Sequence, residues 1–137
     1  MAVEKQPTNH LTKYFYLTMK NQNPERELQK EIVAWFRENH PNGIIMSIPN
    51  EGIRNRFSWY AETGAVKGAP DLVCVLAGVV FFVENKSKRG RQSPEQRVFE
   101  INCRELGIGY HVCRSLEDFK AAIAEEQERF RAAYMKI

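Results

Sequence analysis

A chain of 137 residues with 43% hydrophobic and 27% charged residues suits a single domain with a real core. A net charge of +3 and a pI near 8.8 permit a nucleic-acid partner without demanding one. Cys74, Cys103 and Cys113 form no CxxC pair and sit in apolar stretches. That pattern disfavours a disulfide framework or a zinc site and predicts buried free thiols in a reducing, cytoplasmic setting. The first twenty residues lack the apolar core of a signal peptide, and no run approaches the length of a membrane span.

Residues 1–22 are polar apart from Tyr14-Phe15-Tyr16-Leu17 and read as an N-terminal arm; residues 23–137 read as one domain. The first helix is predicted to start at Asn23-Pro24, an N-cap followed by proline at the first helical position, and to stop before Pro41-Asn42-Gly43. With Glu25 set at zero and about 100° per residue, Leu28, Ile32, Trp35 and Phe36 fall within about 80° of it, and Gln29 lies at about 40°. Glu27 and Glu31 fall on the far side. Glu25 is therefore the acid that can look toward a sheet, although an acid in a first turn is also favoured by the helix dipole alone.

Gly43–Ile48 reads as a strand. Residues 49–70 follow as a long segment rich in glycine, with Asn50, Arg54, Arg56, Trp59, Tyr60 and Lys67. Basic residues interleaved with aromatics suit the wall of a phosphate-backbone groove, and equally a solvated loop with a short helix embedded in it.

Two apolar runs, Leu72–Leu76 and Val79–Val83, flank Ala77-Gly78 and read as a hairpin. Asp71 opens the first run, and Glu84-Asn85-Lys86 closes the second. Alternation places Glu84 and Lys86 on one face, and a hairpin can set Asp71 beside Glu84. Two close carboxylates repel, so one takes up a proton or a divalent cation relieves them. A nearby lysine can hold an attacking water and stabilise developing negative charge. Acids at strand ends are also commonly just solvated, so these three residues leave both readings open. Lys86, Lys88, Arg89 and Arg91 then lead away from the site, where nucleic-acid phosphates would lie.

Ser93-Pro94-Glu95-Gln96 is a strong helix start with a capping box, and the helix is predicted to reach about Leu106. Gln96 is placed to reach a water or phosphate, but capping alone accounts for it. Gly109–Cys113 reads as a strand whose His111 suits a structural role. A further capping box at Ser115–Asp118 opens a last helix, Leu116 to about Met135, with a highly charged far half expected to project or to meet a partner chain.

With Glu25, Asp71 and Glu84-Asn85-Lys86 on this order of elements, the chain resembles the PD-(D/E)XK nuclease superfamily, and within it the virus-type replication-repair nuclease (VRR-NUC) domain. The resemblance spans about residues 24–120. It rests on Glu25-Arg26-Glu27-Leu28-Gln29, Pro49-Asn50-Glu51-Gly52 with Arg54, Gly68-Ala69-Pro70-Asp71-Leu72, Glu84-Asn85-Lys86, Ser93-Pro94-Glu95-Gln96 and Arg114-Ser115. Each is weak alone; their order and spacing are specific. Asn85 departs from the bulkier aliphatic residue common there.

The resemblance implies an α/β restriction-endonuclease-like core, a helix and then a mixed sheet of about four strands flanked by helices. It implies a DNA endonuclease using Mg2+, or Mn2+ in its place, held by Asp71, Glu84, the Asn85 carbonyl and Glu25. Lys86 would position the attacking water, Gln96 and Gln29 would support it or a phosphate, and Asn50 and Ser93 would play supporting parts. Arg54, Arg56, Lys67, Lys88, Arg89 and Arg91 would bind DNA. Single-domain members are similar to phage and bacterial junction resolvases of DNA repair and recombination, which work as homodimers. Branched DNA is therefore the expected substrate. A weakly specific nicking enzyme and a silent nucleic-acid-binding subunit are the alternatives.

Overall fold

The computed structural model describes residues 9–11, 23–49 and 61–135. Asn50, Arg54, Arg56 and nearly all of the expected N-terminal arm lie outside these residues. The described elements are α1 (Pro24–Asn39), β1 (Ile44–Ser47), β2 (Leu72–Leu76), β3 (Val79–Asn85), α2 (Pro94–Glu105), β4 (Gly109–Cys113) and α3 (Leu116–Met135). The strands form one mixed sheet in sequence order, antiparallel from β1 to β3 and parallel between β3 and β4. Parallel neighbours need a crossover, which α2 supplies. This is the expected α/β core.

The helix starts follow local chemistry. The Asn23 side chain accepts from the Glu25 N–H at 3.0 Å. Ser93 and Gln96 form the reciprocal capping box. At α3 the expected box is only half present: Ser115 Oγ accepts from the Asp118 N–H, but the Asp118 carboxylate turns to the N–H of Arg114 at 2.9 Å.

The core lies between one sheet face and the helices α1 and α3. Ile32, Phe36, Leu72, Cys74, Phe81, Val83, Cys113 and Phe119 are fully buried there. Burying a side chain of this size is worth roughly 1.5–3 kcal/mol. The three cysteines are buried and free, and burial pushes the thiols of Cys74 and Cys113 up to about 12. On the opposite face α2 sets Phe99 edge-on to Phe82, with ring centroids 5.2 Å apart. Glu84 points to this same face.

The β3 ladder holds the residues that close its apolar run, and α3 departs from the sequence expectation. Pairing with β4 carries β3 on to Asn85, opposite Cys113, so Glu84 and Asn85 belong to the strand and are held by its ladder. The charged half of α3 does not simply project. Glu126 is 3% exposed and its Oε1 meets His111 Nε2 at 2.7 Å and Arg129 at 2.6 Å. Gly109 makes room for it, since a Cβ there would collide with the Glu126 carboxylate. His111 thus ties β4 to α3. Among the described residues no helix is long and apolar enough to cross a membrane.

Candidate active site

Continuing the β2–β3 register by one place sets Asp71 opposite Glu84, and by two sets Pro70 opposite Asn85. Gly68 positions this approach. Its φ of +80° is left-handed, and a Cβ would strike the backbone of Glu95 in the first turn of α2. Only glycine lets the segment before β2 lie this close to α2. The N-termini of α1 and α2 both meet the same end of the sheet, where their dipoles favour negative charge.

Asp71 Oδ2 accepts the backbone N–H of Asn85 at 2.7 Å. Glu84 Oε1 accepts from Gln96 Nε2 at 2.9 Å and lies 3.6 Å from Lys86 Nζ. Glu84 Oε2 is buried and without a hydrogen-bond partner. Burial is the main cause that raises both carboxyls. Asp71 sits above its ordinary range despite the Asn85 N–H, and Glu84 is pushed up to about 8 by burial and then by the Asp71 charge, against the pull of Lys86. The two groups behave as a pair sharing a proton.

Glu25 arrives from α1. Its Oε1 accepts the N–H of Ser87 at 3.3 Å, and its charge adds to the rise of Asp71. Glu27 and Glu31 are exposed, as the helical wheel requires. Gln29 Oε1 accepts from Asn85 Nδ2 at 3.3 Å, which makes the fully buried Asn85 side chain a link between α1 and β3. Gln96 has both ends in use, its oxygen on the Ser93 N–H at 2.8 Å and its nitrogen on Glu84, so its contact in this structure is with the carboxylate.

The basic residues divide. Lys88, Arg89 and Arg91 are exposed on the loop beyond β3. Lys67 lies 3.9 Å from Glu95. Arg114 has a contact that its position in the sequence did not suggest: its Nη1 donates to the carbonyls of Ser87 at 2.6 Å and Gly90 at 2.7 Å. It therefore staples the loop that offers Ser87 to Glu25. A basic residue just after a strand exit was the only signal of this.

The donors fit a hard divalent cation on their chemistry. Glu84 Oε2 is a buried oxygen lacking a donor, and Glu84 is raised first by burial and then by the Asp71 charge, both of which a bound cation would offset. In an extended strand a residue's N–H and C=O point to the same side. The Asn85 carbonyl therefore faces Pro70, which has no N–H to give it. Among the described residues, however, no three His, Cys, Asp or Glu side chains are grouped to hold a metal. Asp71 and Glu84 are the paired acids, and Glu25 stands on the Ser87 amide beside them.

If Glu25 acts at this site as that position indicates, Glu25→Ala should slow DNA cleavage by tenfold or more, on the order of one lost charge-assisted contact. Glu27→Ala should leave the rate within about twofold. Single-turnover cleavage assays compare the two, and equal losses would remove the helical-wheel assignment.

A model of the VRR-NUC domain matches residues 6–117. Two solved structures are similar in fold. One, titled a VRR_NUC domain, is 24% identical with a TM-score of 0.56, covering 75% of this chain and 97% of its own. Another, titled a VRR_NUC domain protein, is 15% identical with a TM-score of 0.60, covering 77% of this chain and 89% of its own. No curated protein matches.

Proposed function

The chain belongs to the VRR-NUC domain family, which implies a nuclease of the PD-(D/E)XK type, and from that premise we propose that it is a Mg2+-dependent DNA endonuclease selective for branched DNA. The observation that carries the chemistry is the buried Asp71–Glu84 pair, with Glu84 pushed up to about 8 and Lys86 Nζ 3.6 Å away. Asp71, Glu84 and the Asn85 carbonyl would hold the metal, with Glu25 at its edge. When bound, Mg2+ or Mn2+ supplies Lewis-acid stabilisation of the charge that builds on the phosphate.

The chain's own residues do the rest. Lys86 holds the attacking water against the phosphorus and stabilises the negative charge as the P–O bond breaks. Gln96 fixes the Glu84 carboxylate by hydrogen bonding one oxygen and leaving the other open. Arg114 holds the loop whose Lys88, Arg89 and Arg91 meet the DNA backbone. Lys67 and the sequence-expected Arg54 and Arg56 would extend that surface. A homodimer in the cytoplasm would give paired cuts on a junction in DNA repair or recombination; its support is the family resemblance read from the sequence motifs.

The test is cleavage of a labelled four-way junction, the matching linear duplex and a single strand, each with Mg2+, Mn2+ or EDTA. Paired symmetric cuts on the junction, lost in EDTA, are expected. Metal-dependent cutting of all three alike would leave a weakly specific nicking enzyme. Tight binding with no cutting in any metal would leave a silent DNA-binding subunit.

A further inference from the structure

The polar surface of α1 is divided by charge. With Glu25 at zero, Arg26, Lys30 and Arg37 fall at about 100°, 140° and 120°, whereas Glu27, Glu31 and Glu38 fall between about 200° and 240°. The cationic flank faces β1, the edge strand of the sheet. Between them runs a groove of about 780 Å³ walled by Arg26, Lys30 and Arg37 on one side and Ser47 on the other, with Glu25 and Asp71 also on its lining.

Helix stability does not explain the stripe. Arg37 in the last turn is favoured by the helix dipole, but Arg26 stands in the first turn, where a cation is disfavoured. Neither Arg26 nor Arg37 is paired with an acid among the described residues. Lys30 meets Glu27 at 3.2 Å, with both side chains more than half exposed. Such a pair is weak and yields to a better anion.

We infer that this groove holds the DNA strand that leaves the duplex at a branch, as a second phosphate-binding surface distinct from the loop carrying Lys88, Arg89 and Arg91. The inference rests on the nuclease reading and names what selects the substrate. Three things point to this occupant. Three cations line the groove, and Asp71 of the acid pair lies on it beside Glu25, so its ligand is anionic and continuous with the scissile strand. The stripe from Arg26 to Arg37 is about 16 Å long, the rise of about five nucleotides of one strand. The groove also runs from Glu25 back along α1 and the edge strand, whereas the basic loop follows the end of β3 and meets Glu25 through Ser87. Two separate cationic surfaces that meet beside Glu25 can each hold one arm of a branch.

The experiment uses the full chain with Arg26→Ala, Lys30→Ala and Arg37→Ala combined. Binding of a single-stranded flap, a four-way junction and a linear duplex is measured in EDTA by fluorescence anisotropy across a salt series, and cleavage of each is measured with Mg2+. Flap affinity should fall about tenfold or more, with the slope of log affinity against log salt smaller by about 2, while duplex affinity and duplex cleavage change less than about twofold. Loss for the flap alone supports a single strand in the groove; loss for flap and junction supports either kind of departing arm. Equal loss on all three substrates, or no loss, overturns the inference. Two further variants guard against a folding defect or a mere charge effect. Arg26→Lys with Arg37→Lys should keep the flap preference, as should Arg104→Ala, Lys120→Ala and Arg131→Ala combined. Failure of the wild type to cut any substrate would refute the nuclease reading, while the binding series in EDTA would still decide the groove.

Discussion

Lys86→Ala is expected to lower the single-turnover rate of DNA cleavage by about 10²–10³ while binding in EDTA and the melting temperature stay near those of the wild type. The rate loss follows from position. The Lys86 side chain is 11% exposed, so its ammonium works where water screens it little, and its Nζ stands 3.6 Å from Glu84 Oε1. The fold survives because the acid it leaves behind can neutralise itself. Lys86 draws Glu84 down from an even higher position, so its removal leaves Glu84 protonated at neutral pH and creates no bare buried charge. Lys86→Arg should not rescue the rate, because a planar guanidinium fork cannot take the place of a compact ammonium beside a water. Cleavage by Lys86→Ala at more than about a tenth of the wild-type rate would remove Lys86 from the reaction.

Much of the frame was legible because short-range chemistry decides it. Asn23-Pro24 and Ser93-Pro94 begin helices through their own side-chain acceptors and fixed φ, and the hairpin follows from two apolar runs around Ala77-Gly78. The wheel on α1 separated Glu25 from Glu27 and Glu31, because direction around a helix depends on spacing alone. Distances across the fold do not. The wheel aims Glu25 at the sheet end but cannot show that its oxygen meets the Ser87 amide. Capping accounts for Gln96 completely, which hid the nitrogen left over for Glu84. The burial of Glu126 depends on His111 and on the space at Gly109, residues on another element, so the local pattern read that part of α3 as projecting or meeting a partner chain. Arg114 reaches carbonyls more than twenty residues earlier in the chain, and no local period encodes that.

Glu84→Gln is expected to abolish cleavage and, in metal-free buffer, to raise the melting temperature at pH 8 by roughly 5 °C, with the gain closing toward pH 5. The sign follows from linkage. The Glu84 carboxyl has an ordinary value of 4.5 and is pushed up to about 8 in the folded chain, chiefly by burial and then by Asp71. Between those values the unfolded chain has released the proton and the folded chain still holds it. The unfolded state then binds fewer protons, so stability falls as pH rises. The contribution is whole below about 4.5 and is lost by the time pH passes about 8; Asp71, also raised, adds in the same direction. Glutamine keeps the shape, its oxygen still accepts from Gln96 Nε2, and its amide nitrogen gives Asp71 a donor in place of a competing charge. The variant therefore lacks the alkaline loss that Glu84 contributes. Titrating Mg2+ into both proteins at pH 8 completes the argument. A cation held by the paired carboxylates should stabilise the wild type by mass action and leave Glu84→Gln nearly unmoved. If the two melting curves shift together with pH and with Mg2+, then Asp71 and Glu84 are neither a strained pair nor a metal site, and the burial of Glu84 serves the fold alone.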